Sequence, residues 1–469
     1  MFYDVGEEFQ MRLAPREKPV LPKEKTYQAM TNGPVAKQLF RFALPLFFSM
    51  LFQQVYNIAD TIVAGRFISA SALSAIGIIS AVNWIYLALT NGTGQGCNVV
   101  IARIFGSGDR EKTHTAITTS LLFQSGLALA LTAVFLPAHR WILRIIHTPD
   151  SLYADASTYL LIFTSALLFQ FLYVTANACF QALGDSRMCL CFLIFSSLLN
   201  IGLDIVFVVA FSWGVAGIAW ATFLTQGMAA GLSVSVLLRR LHRLVPAHKP
   251  RLFDPQILRS MLRVMLPSVC QQSFISIGVM MVQGLVNSMG EVAIMAFTVG
   301  NKISAFCIAC VGTVTRSFGT FASQNFGAGK YDRIKEGLRV LLRFELFAVM
   351  AIAAGYYLLG PAAVRLFVAD DAPPEALALG AQMLLILAVG NFPLETKNSF
   401  DNALVGCGHM TEFMITTFAD LFTRVFLSYA LAGVLGFYAL PVAQAIGWFL
   451  GGALAVGFYF RMKRRLGIK

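Results

Sequence analysis

Two halves of this chain repeat one another at a nearly fixed distance. Ala43-Leu44-Pro45 returns as Met265-Leu266-Pro267, Phe105-Gly106-Ser107-Gly108 as Phe326-Gly327-Ala328-Gly329, and Ala182-Leu183-Gly184 as Leu404-Val405-Gly406, at offsets of 222, 221 and 222. Both copies run through long apolar stretches, so one burial pattern must be satisfied twice. A duplicated apolar half of this length points to a membrane transporter built from internal repeats. The near-constant offset implies that almost nothing was inserted or lost between the copies. Polar residues that break the symmetry then mark a candidate binding site.

Only 13% of residues are charged, against about 25% in an average soluble domain, and mean hydropathy is +0.68. Apolar runs of about 20 residues span the hydrocarbon core as helices, because only a helix satisfies its own backbone there. Twelve such segments are expected. Six lie in the first half, over 40–64, 72–98, 114–137, 155–181, 188–211 and 213–238. Six lie in the second, over 258–287, 293–320, 337–359, 376–405, 411–434 and 440–460. The expected fold is an all-α polytopic membrane protein of twelve transmembrane helices in two six-helix repeats. Six is even, so both copies start on the same side and the repeats are parallel. The expected organisation is a cytoplasmic N-terminal segment (1–37), a first bundle (38–240), a cytoplasmic linker (241–257), a second bundle (258–461) and a basic tail (462–469).

The net charge of +12 sits at helix ends. Arg239, Arg240, Arg243, Lys249, Arg251, Arg259 and Arg263 surround the linker, and Arg461, Lys463, Arg464, Arg465 and Lys469 fill the tail. Both termini are therefore expected to be cytoplasmic, in a multi-pass protein of the cell (inner or plasma) membrane. This placement explains the charge as topology and lipid contact, so no nucleic-acid partner is expected. Residues 1–30 are polar, with Pro15, Pro19 and Pro22 and no short apolar core, which argues against a cleaved leader and for a disordered start.

The eight cysteines lie within or beside apolar segments, and Cys307-x-x-Cys310 has no second pair or nearby histidine. They read as small apolar packing residues. No phosphate-cradling glycine loop with its lysine occurs. No catalytic residue, resident metal or cofactor is expected, and the chain is not expected to be an enzyme. The remaining partners are the bilayer and a small-molecule substrate, with the protein a monomer.

An ionisable residue deep in a bilayer helix costs about 2.5–3.5 kcal/mol on insertion scales. Asp60, Asp204, Glu345, Glu395, Asp401 and Asp420 fall inside the segments. Gln53, Tyr56, Asn57 and Asp60 stand at i, i+3, i+4 and i+7, a polar stripe on one face of the first segment. Asn200 and Asp204 share a face of the fifth, Asn177 ends the fourth and Thr222 lies on the sixth. Such hard oxygen ligands suit a proton or Na⁺. With the offset of 222, the counterparts of Asp60 and Asp204 lie near Val282 and Phe426, both apolar. The second half carries Glu395, Asp401, Asp420, Arg424 and Arg316 instead. Asp420 and Arg424, at i and i+4, are expected to neutralise each other. Glu395 and Lys397, two apart, point to different faces, which leaves Glu395 a secondary candidate. Pro45 and Pro267 are matching kinks or hinges.

At these residues the chain resembles the multidrug and toxic compound extrusion (MATE) family of secondary antiporters. The likeness runs through Gly33-Pro34, Phe42-Ala43-Leu44-Pro45, Gln53-Gln54-Val55-Tyr56-Asn57-Ile58-Ala59-Asp60, Val63-Ala64-Gly65-Arg66-Phe67, Gln181-Ala182-Leu183-Gly184-Asp185, Asn200-Ile201-Gly202-Leu203-Asp204 and Gln324-Asn325-Phe326-Gly327-Ala328-Gly329-Lys330. It implies two six-helix bundles around a V-shaped cavity, and export of organic, often cationic or amphipathic compounds in exchange for Na⁺ or H⁺. One branch of the family implies a cation site at Asp60, Asn177, Asn200, Asp204 and Thr222. Another uses acids of the seventh and tenth segments. Here the seventh offers Gln271, Gln272 and Gln283 but no acid, and the tenth offers Glu395. Gln53, Tyr56, Asn57, Glu395 and Gln283 are thus candidates for substrate contact or secondary coupling. The competing function is a flippase for a lipid-linked precursor, which would call for a strongly cationic cavity.

Overall fold

A computed structural model describes residues 30–67, 70–244, 250–367 and 373–465, with the side chains of 57–73, 81 and 244 outside the description. The described chain is helical and contains no strand. In order, the helices are α1 (Val35–Phe67), α2 (Ala70–Gly106), α3 (Arg110–Ile145), α4 (Asp150–Ser165), α5 (Leu167–Ala182), α6 (Ser186–Asp204), α7 (Gly214–Leu244), α8 (Pro255–Ser288), α9 (Glu291–Gly327), α10 (Tyr331–Leu366), α11 (Pro374–Cys407), α12 (Met410–Leu435) and α13 (Ala439–Arg465). Their apolar lengths match a bilayer. Nine stretches pass as spans, one of them, Met410–Arg465, holding both α12 and α13. The bent spans of α2 and α4–α5 complete twelve rods among the described residues. The fourth expected segment, read as one helix, is bent by 45° between α4 and α5.

Short polar turns separate the rods, and their chemistry is local. Asp109 caps α3 by accepting from the Lys112 N–H at 2.9 Å, and Asp185 caps α6 by accepting from the Met188 N–H. Gly108 and Gly329, matching positions in the two repeats, both take the left-handed conformation (φ +83° and +68°), which a Cβ would oppose.

One sequence alignment shifts in the structure. The turn after α5 closes with Asp185 N–H to Phe180 O and Gly184 N–H to Gln181 O. The turn after α11 closes with His409 N–H to Leu404 O and Gly408 N–H to Val405 O. The equivalent of left-handed Gly184 is therefore Gly408, not Gly406, and the offset there is 224. Gly406 is a helical residue packed where a Cβ would stand 2.7 Å from that of Ala322. The counterpart of Asp204 becomes Ser428, fully buried and polar, rather than apolar Phe426.

Two compact units emerge from the contacts. One is Leu44–Val269; the other is Met30–Ala43 with Cys270–Lys469. The dividing points fall inside α1 and α8, close to Pro45 and Pro267. In lipid, helix association rests on close packing rather than on expelling water, and both units show it. In the first, Gly92 and Gly96 of α2 press on α8, where a Cβ on Gly96 would stand 2.3 Å from Met265 Cγ and 3.0 Å from its backbone N. Tyr86, buried in that unit, stacks on Phe163 (centroids 6.2 Å apart) and shares a 3.1 Å hydrogen bond with Thr164. The second unit has a core of Met383, Leu387, Phe297, Val286 and Trp448. There Gly447 and Gly451 of α13 lie so close to α11 and α12 that a Cβ would stand 2.8 Å from Asp420 Oδ1 or Lys397 Cε.

Candidate functional site

In the Leu44–Val269 unit, α5, α6 and α7 pack on one another and bring most of the first-half polar residues inside. Asp204 is 1% exposed and Asn200, one turn earlier on α6, 3%. A six-residue π-helical stretch, Ile205–Ala210, begins directly after Asp204. Such π insertions recur at functional sites, because they free backbone groups and rotate the side chains that follow. On α5, half-buried Asn177 faces α6, its carbonyl accepting from Cys189 Sγ at 3.6 Å. Tyr173 stands beside Asn177 and Ser196. The Oδ1 atoms of Asn177 and Asn200 are buried and accept no hydrogen bond among the described residues.

Thr222 is half-buried on α7. The same helix adds two residues that sequence reasoning passed over. Thr225 Oγ1 and Gln226 Oε1, three and four positions beyond Thr222, are buried oxygens without a hydrogen-bond partner among the described residues. Their spacing from Thr222 was the available signal. Asp60 and Asn57 lie outside the described side chains. On the same helix, Gln53 is exposed and Tyr56 half-buried. Gln283 donates to Asn287 at 2.9 Å within α8. Pro45 and Pro267 lie inside continuous helices.

The charges of the other unit organise differently from expectation. Among the described residues, the ion-pair partner of Asp420 is Lys397, at 3.9 Å, and not Arg424. Lys397 also pairs with Asp401 at 2.9 Å, and Asp401 accepts from Thr416 Oγ1 at 2.7 Å. Arg424 Nε is buried with no hydrogen-bond partner among the described residues. Lys397 from a neighbouring helix stands within ion-pair distance of Asp420, while Arg424 acts on it from farther away. Glu395 does point away from Lys397. It meets Thr315 of α9 at 3.5 Å, and Thr315 also donates to Glu345 of α10 at 2.8 Å.

The Gln324-Asn325 motif acts on residues 30–33, just before α1. Gln324 Oε1 accepts from the Met30 N–H at 2.7 Å. Asn325 Nδ2 and Arg333 Nη2 both donate to Met30 O, at 3.3 and 3.2 Å. Lys330 donates to Thr31 O at 2.7 Å, and Arg333 Nη1 to Gly33 O at 2.8 Å. Residues 30–33 are thus clasped by the end of α9 and the start of α10.

A sequence model of the MatE family matches residues 45–206 and 267–430, one copy per repeat. The chain belongs to the MatE family. Both matches begin at the paired prolines, and their ends are 224 residues apart, as the shifted turns require. The MatE chain is 26% identical over 386 residues, 82% of its length and 85% of the relative's, to the Bacillus subtilis (strain 168) protein described as "Probable multidrug resistance protein YpnP". It is 23% identical over 438 residues, 91% of its length and 92% of the relative's, to "Probable multidrug resistance protein NorM" of Thermotoga maritima. Its fold is that of a solved multidrug resistance MATE family transporter in an outward-facing conformation, with a TM-score of 0.87 at 22% identity over 96% of this chain and all of the other. MatE proteins are cation-coupled transporters of small molecules and not enzymes, so the MatE chain is a multi-pass membrane transporter of the multidrug efflux family. These relatives do not favour the flippase reading.

Proposed function

We propose that the chain is a secondary active antiporter of the cell membrane that exports organic, often cationic or amphipathic compounds in exchange for Na⁺ or H⁺. In this reading the repeats over 38–240 and 258–461 are the two moving halves. Both termini are cytoplasmic, and the working form is a monomer. The coupling ion binds in the first half at Asp204, with Asn200, Asn177, Thr222 and Asp60 as its other ligands. The observation that carries this is Asp204 itself, 1% exposed in a bilayer helix, one turn from Asn200 and at the mouth of a π-helical stretch.

A carboxylate held there binds a proton or a small hard cation when it must be neutral and releases it when water reaches it. Occupancy then biases two arrangements of the first half, with Pro45 and Pro267 as hinges. Ion and substrate need only prefer opposite states. Gln53, Tyr56, Asn57 and Gln283 are proposed to contact substrate.

Efflux measured in inside-out vesicles, with a Na⁺ gradient and a pH gradient imposed separately, tests the reading. Export driven by one gradient and lost in Asp204→Asn is expected. Wild-type export in that variant would overturn the site, and export indifferent to both gradients would overturn antiport.

A further inference from the structure

In the second unit, α9, α10 and α11 pack against one another, and each turns one neutral polar side chain toward the same spot. Ser304 comes from α9, Tyr356 from α10 and Asn391 from α11, and all three are at most 4% exposed. Ser304 and Asn391 both face the Tyr356 hydroxyl. Yet Ser304 Oγ, Tyr356 OH and both amide atoms of Asn391 are buried with no hydrogen-bond partner among the described residues. Val299, Ile303, Ile352, Leu384 and Ala388 pack around Tyr356 and make the surroundings apolar.

The pattern is a local exception. Further along α9, Thr313, Ser317 and Ser323 each donate to the carbonyl four residues back, at 2.8, 2.8 and 2.9 Å. Ser304, on the same helix, makes no such bond among the described residues. Tyr86, buried as deeply in the first unit, shares its hydroxyl with Thr164 at 3.1 Å. Leaving a buried polar group without a partner costs the full desolvation of that group, so four such atoms at one spot call for a guest that bonds to them.

The donors and acceptors identify the guest. Asn391 Nδ2 needs an acceptor and Oδ1 needs a donor, a demand that holds whichever way the amide is turned. A metal cation would suit Oδ1 and the two hydroxyl oxygens but would face the Nδ2 hydrogens. An anion would suit the donors and repel Oδ1. The guest is therefore neutral, both gives and takes hydrogen bonds, and is small enough to sit among three converging side chains. Water meets these terms, since a buried water takes about two to four polar partners.

We propose that Ser304, Tyr356 and Asn391 form a buried water-binding site that joins α9, α10 and α11 of the second repeat through bridging water rather than direct bonds. Bridging water holds polar groups nearly as well as a direct bond, and it lets the three helices shift slightly without stranding any of them. The site uses no ionisable acid, is separate from the Asp204 site, and does not rest on the export reading.

Hydroxyl-radical footprinting of the full chain in lipid nanodiscs, with microsecond X-ray pulses and mass spectrometry, tests it without substrate or gradient. Radicals formed from bound water label the side chain beside it, whereas a buried ring without water stays unlabelled. Tyr356 is expected to be modified several-fold faster than Tyr86, despite comparable burial. The rate should fall to that of Tyr86 in Asn391→Leu, which replaces the amide with an apolar group of similar size. Ser304→Ala should lower it too, and gives a second reading if Asn391→Leu fails to fold; thermal melting establishes which variants are folded. Tyr356 labelled as slowly as Tyr86 in the wild type, or undiminished labelling in a folded variant, would overturn the proposal. So would labelling suppressed by Na⁺ at fixed pH, which would make this a cation site.

Discussion

Asp401 of the second repeat occupies the position that Asn177 holds in the first, 224 residues earlier, each four residues before the carbonyl that receives the last hydrogen bond of its turn's helix. In the first repeat that position lies beside Tyr173 and Cys189 of its own bundle, with no cation alongside in the sequence. In the second, Lys397 reaches Asp401 at 2.9 Å and Asp420 at 3.9 Å. The same framework carries a polar site in one half and a neutralised cluster in the other.

Lys397→Met should destabilise the protein by about 3–5 kcal/mol, because it strands two buried carboxylates. Melting in detergent measures it. The double variant Lys397→Met with Asp401→Leu should recover part of the loss, whereas Arg424→Met should cost much less than Lys397→Met. Equal losses for the two cations would contradict the pairing.

Asp204→Asn should abolish ion-coupled efflux with little change in yield or melting temperature, since it keeps the shape and removes the charge. Asn200→Ala should weaken coupling less, raising the ion concentration that half-saturates export. Normal export by Asp204→Asn in vesicles would remove the residue from the mechanism.

Gly96→Leu should destabilise the Leu44–Val269 unit by about 1–3 kcal/mol or prevent its assembly, because its Cβ meets the backbone of α8 at Met265. Gly126→Leu, on α3 with nothing within 4 Å of the added Cβ, is the control and should melt like the wild type. If both variants behave alike, the close crossing of α2 and α8 is wrong.

Arg333→Ala should loosen residues 30–33, removing donors to Met30 O and Gly33 O. Hydrogen exchange at these amides should rise several-fold, reflecting about 1–3 kcal/mol for bonds from a charged group, while α9 exchanges as before. Unchanged exchange would show that Gln324 and Lys330 suffice for the clasp.

Much of the fold was legible without coordinates. Length and apolarity dictate helices because lipid offers the backbone no partner, and the repeat dictates two similar halves. Local chemistry is just as close to the sequence: Asp109 and Asp185 cap the helices that follow them, and glycines follow helices where a left-handed residue is needed. The burial of Asn200 and Asp204 on one face followed from their spacing of four. These are properties of neighbours along the chain, fixed by the geometry of a single helix.

What the tertiary structure decided is which helix stands beside which. The sequence offered Arg424 as partner to Asp420 because both lie on α12. Instead Lys397 arrives from α11, in a gap that Gly447 and Gly451 keep narrow. Glu345 stood in the sequence as one intramembrane acid among six, and nothing joined it to Glu395, fifty residues away, until Thr315 of a third helix met both. The Gln324-Asn325 motif, readable only as a family mark, turned out to hold Met30 across 294 residues. An apolar helix presents similar faces all round, so periodicity does not choose its neighbours. In a bilayer that choice falls to glycine-sized gaps and buried polar contacts between helices, and these exist only once the helices are assembled.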